Sequence, residues 1–288
     1  MTSPKISLLF LWFVVFTVYL AGCSVSQNNA DLIRLRQLKD QAFAGDTESQ
    51  YQLGVHYTTS TQWRWDKARG YGWFREAADG GHADAQYMVG MCYLLGEGVA
   101  QDGTVAVTWL AKAAQKGHRR SQYQLGQLYL DGNGTGKDLL WGRYWLEQAA
   151  WAGHPHARLV LAALFSKGVG GQKNSAAAWA WLVRAKRSGV DEANAALEKM
   201  TSALSETEKQ RGRHLLKTAA KTDHTGLYLI PKIRYLQAKL NQIGFSAGVE
   251  DGSRGVQTRS AVQQYLLKKE LPRETSIDQL IASLRGSH

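Results

Sequence analysis

Tryptophan recurs every 36 residues, at Trp73, Trp109, Trp145 and Trp181. Other positions keep the same beat. Glycine returns at Gly45, Gly81, Gly117, Gly153 and Gly189, and a small residue at Gly54, Gly90, Gly126 and Ala162. A side chain able to cap a helix returns at Asp66, Asp102, Asp138 and Asn174. Several registers holding one period without a slip describe a tandem repeat. A unit of this length is one helical hairpin, too small to bury its apolar face alone, so copies stack. The expected fold is all-α: an α-solenoid of about four 36-residue hairpins, an architecture that works by presenting an extended surface.

The hairpin is clearest over 82–116. Ala83 to Leu95 reads as the first helix, Gly96 to Gln101 as the loop and Asp102 to Lys116 as the second helix, with Asp102 at its N-cap and Gly117 as its stop. Within it Tyr87 and Tyr93 flank the small Gly90, and Trp109 lies beside Ala113 and Ala114, a pattern of helix packing. Strict periodicity makes the tryptophans core residues rather than a ligand cage. Asp31 to Ala44 reads as a half-repeat capping the N-terminal end, with Leu32, Leu35, Leu38 and Ala42 on one face.

The string over 81–90 (Gly-His-Ala-Asp-Ala-Gln-Tyr-Met-Val-Gly), followed by Gly-Glu-Gly-Val-Ala-Gln-Asp and Trp-Leu-Ala-Lys-Ala-Ala-Gln-Lys-Gly-His, resembles the Sel1-like repeat, a relative of the tetratricopeptide repeat. The resemblance covers about Gly45 to Gly189 in four copies. The first departs in its loop, Thr58 to Trp65, which lacks the usual glycines, and the fourth has Leu159 for the tyrosine and Ala162 for the glycine. Val190 to Lys221 resembles the terminal helices of such solenoids. The resemblance implies a scaffold or adaptor, often in the bacterial envelope.

His82, His118 and His154 each follow the repeat glycine. Adjacent repeats lie about 10 Å apart whereas Zn–N bonds are about 2.1 Å, so one shared metal ion is not expected. Asp46 holds the same position in the first copy, which points to a helix-start role. In the first loop Trp63 and Trp65 flank Arg64, a combination that can stack on sugar faces or anchor a protein partner, or simply cover the edge of the neighbouring hairpin. They are the candidate partner contact. The sequence carries no Gly-x-Ser-x-Gly, His-Glu-x-x-His, phosphate loop or zinc-type cysteine pair. Gly132 to Gly136 falls on the repeat's loop position and reads as a turn. No catalytic residue, metal or cofactor is expected.

The first residues locate the chain. Lys5 precedes an apolar run from Ile6 to Leu20, the pattern of an export signal. Leu20-Ala21-Gly22-Cys23 resembles the bacterial lipobox, which makes 1–22 a signal peptide, Cys23 the lipidated first mature residue and 23–30 a tether. Ser24, rather than Asp, favours the outer membrane, facing the periplasm. The formal charge of +11 suits anionic surroundings such as lipid headgroups or the cell wall. A lipoprotein signal removes nucleic acid from the expected partners. With Cys23 lipidated, only Cys92 remains, read as a small buried hydrophobe.

After the solenoid with its capping helices (31–222) the beat is lost. Pro231 marks a new start, and Ile233, Leu236, Leu240 and Ile243 form a helical stripe ended by Gly244-Phe245. A turn-rich loop follows, then a helix for which Thr258 is a cap and Ala261, Val262, Tyr265 and Leu266 supply core, then a short helix over Ile277 to Leu284. Leu236-Gln237, Leu240, Gly244-Phe245, Gly248, Asp251-Gly252, Gly255, Thr258 and Ala261-Val262 resemble the small three-helix peptidoglycan-binding domain, here 227–288. The resemblance implies wall binding, with Arg254, Arg259 and Tyr265 as candidate contacts. Together these readings describe an envelope lipoprotein, tethered to peptidoglycan, that holds an unidentified envelope protein on its solenoid. An accessory or weak enzyme of peptidoglycan remodelling and a surface or secreted host-interaction factor are the alternatives.

Overall fold

The computed structural model describes residues 31–59, 66–219, 224–248, 252 and 255–286. Every element among them is helical: α1 (31–43), α2 (Thr47–Thr59), α3 (Lys67–Asp79), α4 (Ala83–Leu95), α5 (Gly103–Gln115), α6 (Arg119–Asp131), α7 (Leu139–Trp151), α8 (Pro155–Lys167), α9 (Ser175–Arg187), α10 (Glu192–Ala203), α11 (Glu206–Ala219), α12 (His224–Gln242), α13 (Val256–Lys268) and α14 (Ile277–Arg285). The chain divides into two compact units, one through Val89 with Glu97–Val99, the other Gly90–Gly96 with everything from Ala100 onward.

The first unit opens with the half-repeat. Phe43 on α1 meets Trp73 edge-on at 5.1 Å, and Gln50 on α2 donates to the carbonyl of Ala42 at 3.1 Å. That second contact is itself periodic. Gln86 donates to Ala78, and in the second unit Gln122 donates to Ala114, each at 3.1 Å; Arg158 does the same to Ala150. The last carbonyls of a helix have no partner within it. Here one such carbonyl is met by a side chain from the next hairpin, buried for the three glutamines and half-buried for Arg158, and α1 takes the place of the missing earlier helix. The glutamine beat at 50, 86 and 122 is as regular as the tryptophan beat.

Helix starts follow one rule. Asp66, Asp102, Asp138 and Asn174 accept from backbone N–H groups of the helices they open. The repeat histidines cap the alternate helices. Nδ1 of His82, His118 and His154 accepts from the N–H of Ala85, Ser121 and Ala157 at 3.2 Å, and Asp46 accepts from Ser49. The rings also stack on the preceding repeat, His82 on Tyr51 at 4.8 Å and His154 on Tyr123 at 4.3 Å. Burial, then the charges of His156, Arg119 and Arg120, push the His154 pKa down to about 4. The folded protein thus keeps a neutral imidazole where the unfolded chain, near 6.5, takes up a proton. Stability from this site is complete above pH 6.5 and is lost as pH falls toward 4. His154→Asn, which caps without titrating, is expected to flatten the dependence of melting temperature on pH across that window.

Trp109, Trp145 and Trp181 are buried as the periodicity predicts, while Trp73 is half-buried. The small residues set how closely helices approach. A Cβ on Gly90 would lie 2.7 Å from Leu110, and one on Gly126 2.6 Å from Leu146. Cys92 is buried. The main core of the second unit runs from Leu146 through Phe165 and Trp181 to Ala193. At its end α10 and α11 both pack on α9. Trp179 is the strut: its indole N–H donates to Thr201 at 2.9 Å, and a Cβ on Gly212 would lie 2.6 Å from its ring.

The C-terminal module has the expected three helices, with three corrections. Helix α12 begins at His224 and runs through Pro231, which forgoes one backbone hydrogen bond rather than opening the element. Ile243 is 40% exposed, because the stripe ends at Leu240 where the chain turns away at Gly244. Thr258 is no cap. Gly255 holds that position, and the Thr258 hydroxyl is buried, donating to the carbonyl of Ala247 at 3.0 Å and accepting from Gln237 at 2.9 Å. Gln237 in turn accepts from the N–H of Gly252, so the motif residues lock the loop rather than face solvent.

Candidate interaction sites

Helix α7 is buried over ten consecutive residues, Trp141 to Ala150. A helix covered all round needs a neighbour on every side. The repeats supply part of that cover and α12 the rest. Trp141 stacks on Tyr144 at 4.4 Å and receives the edge of Tyr235 at 4.8 Å. From α14, the Arg285 guanidinium sits 4.3 Å over Trp141 and donates to the Tyr129 hydroxyl at 3.2 Å. Burial pushes both phenols, Tyr144 and Tyr235, well above their usual range.

Charge lies inside this contact. Glu147, 1% exposed, accepts from Arg143 at 3.1 Å and from Arg234 of α12 at 3.4 Å. Both guanidiniums also lie over the Phe165 ring, at 4.6 and 5.3 Å. Two buried cations share one carboxylate. Nearby, Arg184 lies over Trp151 and Trp181 and donates to the carbonyl of Leu215; burial and the charges of Arg158 and Arg234 lower its pKa to about 10. The solenoid and the C-terminal module are thus joined by an aromatic and ionic junction.

Sequence reasoning did not find this junction, although its signal is in the repeat register. Trp141, Arg143, Tyr144 and Glu147 stand where the preceding copy has Val105, Val107, Thr108 and Ala111. Off-beat residues in a repeat mark what that one copy does differently.

The predicted contacts distribute unevenly. Cys23, the loop residues Trp63, Arg64 and Trp65, and Arg254 lie outside the described residues. Arg259 is exposed and lines a cavity of about 360 Å³ in the C-terminal module, with Arg273 beside it and Ile233, Leu236, Val262 and Leu266 as its apolar wall. Tyr265 is not a surface contact. It is 1% exposed in the module's core, edge-on to Phe245, its hydroxyl 3.0 Å from Ser283, because it shares the buried helix face with Ala261. Arg273 was not anticipated: it follows Leu271-Pro272 in a loop that the helical pattern leaves unconstrained. Among the described residues no helix is long and apolar enough to cross a membrane.

The Sel1 repeat family model matches residues 47–82, 83–118, 119–154 and 155–190. No curated protein matches the chain. Among solved structures, the chain is similar to a Sel1 repeat protein from Oxalobacter formigenes, 29% identical over 58% of this chain and 48% of that one, with a TM-score of 0.54. It also shares its fold with c5321, a protective antigen present in uropathogenic Escherichia coli strains, 24% identical over 88% of this chain and 56% of that one, with a TM-score of 0.57. The chain spans about half the length of each.

Proposed function

Because the chain belongs to the Sel1 repeat family, we propose that it is an envelope scaffold whose repeats hold a protein partner, anchored by lipid on Cys23 at the outer membrane and by its C-terminal module on peptidoglycan. The observation that carries this reading is the junction on α7. It joins the later repeats and the C-terminal module within the second compact unit, so whatever the module binds positions the surface of those repeats as well. Wall binding is supported by the 360 Å³ cavity, where the guanidiniums of Arg259 and Arg273 flank apolar walls. Stem peptides of the wall carry carboxylates, which guanidinium groups recognise through paired, charge-assisted hydrogen bonds.

The test is co-sedimentation of the full mature chain with isolated sacculi. Arg259→Glu with Arg273→Glu is expected to lower retention at least tenfold at unchanged helical content, equivalent to about 1.4 kcal/mol. Equal retention of variant and parent retires the wall anchor. Deleting the module is a poorer test, since it would strip α12 from α7 and uncover Trp141 and Tyr144. The likeness to a protective antigen favours a second reading, a surface-exposed factor. Protease digestion of intact cells separates the two, because a periplasmic chain survives it.

A further inference from the structure

The C-terminal end of the repeat array breaks the pattern of the copies before it. On α8, Leu159, Val160, Ala163 and Ser166 stand where α6 has Tyr123, Gln124, Gln127 and Leu130. Two glutamines have become apolar, and two large side chains have become smaller. The space so opened is a groove of about 720 Å³, closed on its far side by Leu182, Met200 and Leu204. Binding sites are concave and mostly apolar, with a few polar groups at the edge, and an open groove of this size with apolar walls is room for an occupant. It exceeds any one side chain and suits a row of them. Met200 adds an adaptable wall.

The rim is positive. Lys173 and Lys199 are exposed and have no carboxylate partner among the described residues. Glu208 also lines the groove, fixed at the start of α11 by the backbone N–H of Ser205 at 3.0 Å and its hydroxyl at 2.9 Å, so the rim sets two cations against one carboxylate. We propose that this groove takes an amphipathic helix of the protein partner, with apolar side chains at i, i+3 or i+4, and i+7 in the groove and acidic side chains against Lys173 and Lys199. The inference rests on the scaffold reading and names where the scaffold binds and what it selects.

The test places a photoreactive phenylalanine derivative at Ala163 in the full chain and, in a separate variant, at the exposed Gln115. Adducts formed in cells are digested and sequenced. The expected Ala163 adduct is a helical segment of one protein with apolar i, i+3/i+4, i+7 spacing and an acidic flank. It should fall at least tenfold with Lys173→Glu and Lys199→Glu at unchanged circular dichroism. Lipid adducts, no adducts, or adducts indifferent to charge reversal at Ala163 overturn the inference. If Gln115 still yields a protein, the scaffold reading survives that failure. No protein from either position counts against both.

Discussion

Glu147→Ala is expected to destabilise the protein by about 3–5 kcal/mol, the cost of leaving buried guanidiniums without their counter-charge. Chemical denaturation of the full chain measures it. The size follows from arithmetic of the site: Arg143 and Arg234 are 3% and 7% exposed, and Glu147 is the carboxylate both of them meet. Because one of these cations belongs to α12 and the other to α7, the loss should fall on the junction first. Protease cleavage between α11 and α12 should accelerate before the repeats themselves unfold. A companion variant, Arg143→Met with Glu147→Leu and Arg234→Met, removes all three charges together. It is expected to lie within about 1–2 kcal/mol of the parent, since a buried ionic cluster often does little better than apolar side chains of similar volume. A triple variant as unstable as Glu147→Ala would assign the effect to packing around Phe165 instead.

Gly134→Ala is expected to cost about 2–5 kcal/mol. The backbone at Gly134 has φ +69°, where a residue bearing a Cβ is strained by roughly 1–2 kcal/mol, and the added carbon would lie 2.2 Å from the carbonyl oxygen of Gly103. The close atoms are all backbone of Gly103 and cannot swing aside as a side chain can, so overpacking adds typically about 1–3 kcal/mol. The contact recurs one repeat later, where a Cβ on Gly170 would lie 2.2 Å from the oxygen of Leu139. It is the point at which a hairpin loop rests on the start of the preceding second helix. Two controls separate the causes. Gly117→Ala, at φ +86° with nothing within 4 Å, isolates the backbone strain, and Gly136→Ala, in open space, should be close to neutral. Melting temperatures that rank all three together would remove the close approach as the reason for the glycine.

The repeat architecture was legible because periodic residues do periodic jobs. Asp102 and Gly117 bound a second helix, as their counterparts do in the other copies, and that spacing predicts α5 nearly to the residue. The repeat histidines were legible as helix-starting residues for the same reason. What stayed hidden was aperiodic. Nothing local to Arg234 or Tyr235 says that they face α7 rather than solvent, since a helix covered on two sides has no single apolar stripe. Tyr265 failed as a surface contact for a related reason: a phenol suits both a ligand and a core, and only the three-dimensional partner, Ser283, decides. Thr258 has the residue type of a cap, but its hydroxyl is spent inside the loop lock with Gln237 and Ala247. Arg259 was found from its charge, whereas Arg273 lies in a loop where no period operates.

The packing of α12 on α7 also bears on how this array can change over generations. Repeat arrays lengthen when whole hairpins are duplicated. A hairpin inserted after α9 would carry α11 about 10 Å further from α7. The chain has four residues between Ala219 and His224 in which to return, each reaching about 3.5 Å at most. Such a shift would take up most of that reach of about 14 Å, so a longer return segment gained in the same event would ease the strain on the C-terminal module's seat. A duplication ahead of α6 meets no such tether, since the module's contacts reach back only to Tyr129. The junction is therefore disturbed least by a hairpin added on the N-terminal side of α6, and most by one added between α7 and α12.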